Sequence, residues 1–256
     1  MREYISSRKN PLIGLVRNLQ GSAKARWEAG CFLLDGRTLL EEALSYGGQI
    51  ELVLTVPSVA LPELPADMRV VEIPNDVMAS IAPTNSPQGV LAICCLPELA
   101  LPKKLDGRCY LILDSVQDPG NVGAILRSCA AFAADGLILS GSCADPFGSK
   151  AVRASMGAIF RCPIYSGEAV EIRSALGETT VYRADLTAEA VDIRKADLHK
   201  AAFVIGSEGQ GVSEAWRSCT DAIAIPMAEN CESLNAAVAA SIVLWEMARG
   251  DVDGGK

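Results

Sequence analysis

The sequence predicts an α/β protein in two parts, and three observations carry that prediction. Strand-like and helix-like stretches alternate along nearly the whole chain, the pattern of sheets covered by helices. Several strands of the second half, such as Cys109–Leu113 and Phe203–Ile205, are unbroken apolar runs, the mark of parallel strands buried on both faces. Between the halves, Leu96–Gly107 carries two prolines and no clear period, so it reads as a linker. The expected organisation is a small α/β domain over 1–96, a linker over 97–107, a larger parallel-sheet domain over 108–250 and a tail over 251–256.

The elements follow in order. Asn10–Leu19 sets Leu12, Leu15, Val16 and Leu19 at helical spacing. Cys31–Leu34 reads as a strand, Asp35-Gly36 as a turn and Thr38–Leu44 as a helix. Ile50–Val56, Val70–Ile73 and Gly89–Cys95 read as strands, with a short helix over Asp76–Ile81 and an irregular Pro-containing stretch over Leu61–Pro65. After the linker, strand Cys109–Leu113 runs into a loop over Asp114–Asn121, then a helix whose stripe is Val122, Ile125, Leu126 and Cys129. Arg127 lies off that stripe, beside Gly123, Ala124 and Ala131, where a large cation could reach over bare backbone or serve as an ordinary surface arginine. Strands are expected at Gly136–Leu139, Ile159–Ile164, Thr179–Tyr182, Phe203–Ile205 and Ala222–Ile225, with a helix at Lys150–Gly157 that carries Arg153. The last helix, Ser233–Arg249, is apolar nearly all round and therefore expected to be buried, with Ser233 as its N-cap. In parallel sheets of this kind ligands sit beyond the carboxyl ends of the strands.

The totals exclude several functions. Half of the 256 residues are hydrophobic and 21% are charged, so a core can be buried and global disorder is excluded. No apolar run is long enough to cross a bilayer, and the first residues lack the apolar stretch of a secretion signal, so a cytoplasmic protein is expected. The nine cysteines are odd in number and never in CxxC spacing, which suits reduced buried thiols. His199 is the only histidine; that argues against His-based triads, HExxH hydrolases and His-rich zinc sites, and no metal site is expected. The net charge of −8 argues weakly against nucleic acid, yet the first 37 residues are basic, with Arg8, Lys9, Arg17, Lys24, Arg26 and Arg37 against Glu3, Glu28 and Asp35. A solvated helix face explains that run equally well.

No GxGxxG fingerprint or GxxxxGK[ST] loop occurs, and Gly206-Ser-Glu-Gly-Gln-Gly211 alone is compatible with a plain turn. Taken together, however, Asp118-Pro-Gly-Asn-Val-Gly-Ala-Ile-Leu-Arg127, Ile205-Gly-Ser-Glu-Gly209 and Ile225-Pro-Met227 with Ser233-Leu-Asn235 resemble, in order and spacing, the three signature motifs of the SpoU (TrmH) family of RNA ribose 2′-O-methyltransferases, in the SPOUT superfamily. Val152–Pro163 adds to the resemblance. More weakly, Ile5–Asn10, Phe32–Gly36 and Asn85–Val90 resemble that family's ribosomal-protein-like substrate-binding domain. Two positions depart from the pattern: Ala237 stands where a hydroxyl residue is common, and Asp35 where Glu is usual.

The resemblance implies a SPOUT domain with a deep C-terminal trefoil knot and S-adenosylmethionine as methyl donor. It implies that Leu139, Gly206, Ile225, Met227 and Leu234 hold the cofactor, and that Asn121, Arg127, Glu208, Ser233 and Asn235 form the catalytic set. Arg127 is assigned to activating the ribose hydroxyl; a guanidinium pKa above about 12 makes a literal base difficult, so charge stabilisation is the expected role. The expected RNA contacts are Arg8, Lys9, Arg17, Arg26 and Arg153, on ribosomal RNA more than transfer RNA, and a homodimer through the C-terminal domain is expected. A non-catalytic RNA-binding or ribosome-assembly protein is the competing reading from another class.

Overall fold

The computed structural model describes all residues except 1, 2, 85, 186, 188, 229, 232 and 253–256. Asn85, the first residue of the Asn85–Val90 stretch, therefore lies outside the described residues, as does most of the expected tail. The chain forms two compact units. One combines Met1–Pro97 with Asp145–Arg161, and the other combines Glu98–Ala144 with Cys162–Lys256.

In the first unit, β1 (Glu3–Tyr4), β2 (Cys31–Asp35), β3 (Ile50–Thr55), β4 (Arg69–Glu72) and β5 (Val90–Cys95) form a sheet in the order β1-β4-β3-β5-β2. β1, β4 and β3 are parallel, while β5 runs antiparallel to both β3 and β2. Helix α1 (Pro11–Gly21) begins where Asn10 Oδ1 accepts the Leu12 N–H at 2.9 Å and Pro11 presets the first turn. It buries Ile13, Val16 and Leu19 against Leu33, Leu54, Val71 and Ile93. Helices α3 (Arg37–Ser45) and α4 (Asn75–Ile81) lie where the periodicity puts them. None of the nine cysteines is in a disulfide, and burial pushes the Cys31 thiol up to about 11 and the Cys94 thiol up to about 12, so both stay protonated at neutral pH.

Helix α2 (Ala23–Ala29) carries no sequence prediction, because it has no apolar stripe; its ends define it instead. Ser22 Oγ accepts the Ala25 N–H, and Gly30 stops it at φ +67°. This helix overturns one expected RNA contact. Arg26 is only 5% exposed. Its Nε and Nη2 donate to Asp145 Oδ2 at 2.8 and 2.6 Å, and its Nη1 donates to the Leu19 carbonyl at 2.6 Å. Three of the five guanidinium N–H donors are engaged, and burial keeps the group away from a phosphate in solvent.

Asp145 belongs to the stretch 145–161 that packs into this unit. Phe147 sits between Trp27 and Phe32, with ring centroids 5.9 and 5.0 Å away. Helix α6 (Ser149–Ser155) follows and ends at Met156 and Gly157, both with positive φ. The expected strand over Ile159–Ile164 is instead a short 3₁₀ turn at Ala158–Phe160, and pairing starts only at Ile164. Pro163 explains the late start, since it has no N–H to give to a sheet.

In the second unit, β6 (Cys109–Asp114), β7 (Gly136–Ser140), β8 (Ile164–Ser166), β9 (Thr180–Ala184), β10 (Val191–Asp192), β11 (Ala201–Gly206) and β12 (Asp221–Ala224) form one sheet in the order β10-β12-β9-β11-β6-β7-β8. Every pairing is parallel, as the continuous apolar runs imply. The Pro-containing stretch before β6 is packed rather than free: Leu105 is buried and its N–H donates to the Ala175 carbonyl at 2.9 Å. That carbonyl belongs to α7 (Ala169–Leu176), whose capping box of Glu168 and Glu171 marks its start. A four-residue helix, α8 (Glu214–Arg217), buries Trp216.

Two helices position the site. α5 (Pro119–Ala131) starts three residues earlier than its apolar stripe, because Asp118 caps it and Pro119 occupies its first turn. α9 (Ala236–Val252) packs on α5, with Ser128 Oγ and Ser241 Oγ 2.7 Å apart at the contact. It is buried on one side only: Ala240, Val243 and Leu244 are covered, while Val238 and Trp245 are about half exposed. Ser233 lies before the helix, and the cap is Asn235, whose Oδ1 accepts the N–H groups of Ala237 at 2.9 Å and Val238 at 3.3 Å. No helix among the described residues is long and apolar enough to cross a membrane.

Candidate active site at the strand ends of the second unit

A cavity of about 390 Å³ opens beyond the carboxyl ends of β9, β11 and β12. Gly206 leaves β11 into it, and the turn Ser207–Gly211 folds straight back, with Ser207 and Gly211 exchanging backbone hydrogen bonds of 3.1 and 2.9 Å. A Cβ on Gly206 would fall 2.2 Å from the Gly211 carbonyl carbon, so only glycine fits. The apolar walls are Ile205, Ile223, Ile225, Met227 and Leu234.

Two residues missed by the sequence reading hold the far side of that turn. Asp114, buried at the end of β6, accepts the Ser213 N–H at 2.6 Å. Beside it in register, Ser140 at the end of β7 accepts the Trp216 indole N–H at 3.1 Å. The available signal was a polar residue closing each apolar strand run.

Three motif side chains from distant parts of the chain form one hydrogen-bonded relay at the cavity. Asn121 Nδ2 donates to Glu208 Oε1 at 2.5 Å, and Asn235 Nδ2 donates to Asn121 Oδ1 at 3.1 Å. The direction of the relay is dictated by the α9 cap. Two helix N–H groups demand the oxygen of Asn235, which turns its NH₂ toward Asn121, and that in turn aims the Asn121 NH₂ at the Glu208 carboxylate. Ala237 contributes its backbone N–H to this arrangement, so the missing hydroxyl at that position leaves the relay complete.

The expected residues divide as follows. Glu208, Ser233, Asn235, Gly206, Ile225, Met227 and Leu234 all line the cavity, and Asn121 joins them through the relay. Leu139 does not. It is buried inside β7, which lies beyond β6 from the β9, β11 and β12 ends that form the cavity, so it is withdrawn from the cofactor set. Arg127 is exposed on α5, six residues or about 9 Å along the axis beyond Asn121, and is not a cavity-lining residue. In the first unit, Lys9 and Arg17 are exposed, and Arg8 is exposed but paired with Asp76 at 2.8 Å. Arg153 is half-buried and donates to the Pro83 carbonyl at 3.4 Å. Nearby, burial pushes the Asp35 carboxyl up, with Thr84 and the Arg153 charge pulling it down.

Comparison with known proteins agrees with this geometry. Residues 108–245 match the model of the SpoU rRNA Methylase family, and residues 10–92 match the MRM3-like substrate binding domain. The 23S rRNA (guanosine(2553)-2′-O)-methyltransferase RlmP of Bacillus subtilis is 30% identical over 259 residues, covering 96% of this chain and 99% of that protein. A 23S rRNA (uridine(2479)-2′-O)-methyltransferase of Streptomyces viridochromogenes is 32% identical over 254 residues, covering 92% of this chain and 88% of that protein. The crystal structure of an AdoMet-bound rRNA methyltransferase from Sinorhizobium meliloti matches with a TM-score of 0.86 at 30% identity, covering 97% of this chain and 98% of that one. Three motif loops meeting in one relay, and a family match over residues 108–245 that hold them, lead to one conclusion: this chain belongs to the SpoU rRNA methylase family.

Proposed function

We propose that the protein methylates a ribose 2′-hydroxyl of ribosomal RNA with S-adenosylmethionine as donor. The observation that carries this reading is the Glu208–Asn121–Asn235 relay at the edge of an apolar, glycine-floored cavity. The cavity suits the cofactor chemically. Ile223, Ile225, Met227 and Leu234 offer an apolar slot for adenine, and Gly206 lets backbone approach the ligand closely. When bound, S-adenosylmethionine supplies an electrophilic methyl group on a sulfonium.

The chain's own residues do the rest. A ribose hydroxyl is a poor nucleophile near neutral pH and must be deprotonated or strongly polarised. Arg127 holds the RNA phosphate and stabilises negative charge growing on the 2′-oxygen, while the hydroxyl proton passes to solvent water, since a guanidinium cannot accept it. Asn121, locked by Glu208 and Asn235, orients the sugar, and Ser233 completes the polar edge. The direct test is single-turnover methylation of ribosomal RNA followed by mapping of the 2′-O-methyl position; cofactor binding without any transfer would favour the non-catalytic reading.

Gly206→Ala is expected to weaken S-adenosylmethionine binding by about 5–150-fold, because the new methyl must displace the Gly211 backbone at the cavity, a cost of roughly 1–3 kcal/mol. Calorimetry measures it, and unchanged affinity would remove the turn from the cofactor site.

RNA capture is assigned to the exposed cations Lys9, Arg17 and Arg8 of the first unit, with Arg153 beside them in the set. Reversing Lys9 and Arg17 together is expected to weaken RNA binding and to lower the salt slope by about two. A slope that does not move would put the RNA surface elsewhere.

The knot expected of the fold is supported by the strand order. β11 runs between β6 and β9, and the chain after β12 returns to pack α9 on α5. The half-exposed Val238 and Trp245 on α9 support a homodimer through the second unit, with Trp245 set edge-on to Phe132 at 5.9 Å. A cytoplasmic location is in keeping with a ribosomal substrate.

A further inference from the structure

Most polar side chains around the cavity already have partners. Glu208 and Asn235 are engaged by the relay, and Ser207 Oγ accepts the Gln210 N–H at 3.3 Å. Asp185 differs. It sits one residue past the end of β9, where its N–H donates to the Ile223 carbonyl and continues the sheet, so its backbone is fixed. Its Oδ2 faces two guanidinium groups, Arg183 Nε at 3.3 Å and Arg217 Nε at 3.9 Å. Arg183 is itself held by the Thr220 and Arg217 carbonyls. Oδ1 has no partner among the described residues, and the side chain is 22% exposed at the cavity.

Chemistry narrows what this carboxylate can bind. Two arginines beside it cancel most of its attraction for a cation, so the ammonium and sulfonium of the cofactor gain little from it. A held, partly dehydrated acceptor still bonds neutral hydroxyl donors well, and does so more strongly than a neutral acceptor would. An acid at a strand end beside a nucleotide crevice is suited to ribose hydroxyls, as in other nucleotide-binding sheets. Resting on the cofactor reading above, we infer that Asp185 is a specificity-determining residue of the cavity, whose free carboxylate oxygen accepts a hydrogen bond from the ribose diol of the cofactor's adenosine.

The test is a thermodynamic cycle by calorimetry on the full chain. S-adenosylhomocysteine and its 2′-deoxy and 3′-deoxy forms are bound to the wild type, to Asp185→Ala and to Asp185→Asn. The expected result is that Asp185→Ala, and removal of one ribose hydroxyl, each weaken binding by about 10–100-fold, the range for one hydrogen bond to a charged group. The two losses are expected not to multiply: the deoxy ligand binds wild type and Asp185→Ala alike. Asp185→Asn keeps the volume, but the Arg183 N–H holds its one amide oxygen and its NH₂ takes the place of the free carboxylate oxygen, so it is expected to lose most of the discrimination between ribose and deoxyribose, which tests the point even if the alanine variant folds poorly. Multiplying losses, or a wild type indifferent to both hydroxyls, overturn the assignment. So does a variant that loses preference for cationic S-adenosylmethionine over neutral S-adenosylhomocysteine, which would make Asp185 a cation site. A wild type that binds none of these ligands would overturn the cofactor reading itself, and Asp185's role with it.

Discussion

Replacing Arg127 by alanine is expected to slow methyl transfer by roughly 10²–10³-fold, the usual effect of removing one donor that stabilises charge in a transition state. The affinity for S-adenosylmethionine is expected to stay unchanged, because Arg127 does not line the cavity. Six residues separate it from Asn121, which turns it well away from the relay around the α5 axis. It can therefore act on the RNA without disturbing the Glu208–Asn121–Asn235 hydrogen bonds. A guanidinium cannot take the hydroxyl proton, so the contribution proposed for Arg127 is charge and bidentate geometry. Arg127→Lys keeps the charge and loses the fork, and is expected to recover only part of the rate. Single-turnover assays at saturating RNA read this directly. Full activity in Arg127→Ala, with RNA binding intact, would remove Arg127 from the reaction.

Arg26→Ala is expected to destabilise the first unit by about 3–5 kcal/mol, since it leaves the Asp145 carboxylate without its buried partner. The pair is closely engaged: the Nη2–Oδ2 distance is 2.6 Å, and the two side chains are 6% and 14% exposed. The same change opens the Leu19 carbonyl, which loses a 2.6 Å hydrogen bond. Urea unfolding followed by the exposed Trp27, which stacks edge-on against Phe147, reports on this region. An RNA-contact role predicts the opposite pattern, with stability unchanged and the salt slope of RNA binding reduced by about one. The double variant Arg26→Met, Asp145→Leu is expected to recover much of the lost stability, because replacing a whole buried ion pair is far less costly than breaking it.

The two arginines show where reading the sequence reaches and where it stops. Arg127 lies off the apolar stripe of an expected helix and Arg26 in a stretch with no apolar period, and neither pattern points to burial. Arg127 keeps its expected exposure. Arg26 is buried by a residue 119 positions away that no local pattern connects to it. The same distinction applies to Leu139, which belongs to an apolar strand next to a loop, as Ile205 and Ile225 do. Only the strand order puts β7 beyond β6 from the cavity and β9, β11 and β12 around it. Helix ends behave in the same way. The sequence puts the cap at Ser233, and the structure uses Asn235 instead, whose side-chain NH₂ then reaches Asn121.

By itself the sequence determined the alternation of strands and helices, the parallel character of the second sheet and the three loops that carry the family motifs. Those follow from side-chain period and from residues with special backbone needs, which are local properties of the chain. Tertiary structure alone decided which loops share a cavity, which way the Asn121 amide points, and which cations stay exposed. Those depend on contacts between residues 87, 114 and 119 positions apart, and the energy of such a contact is set by burial and hydrogen-bond geometry that no stretch of sequence contains.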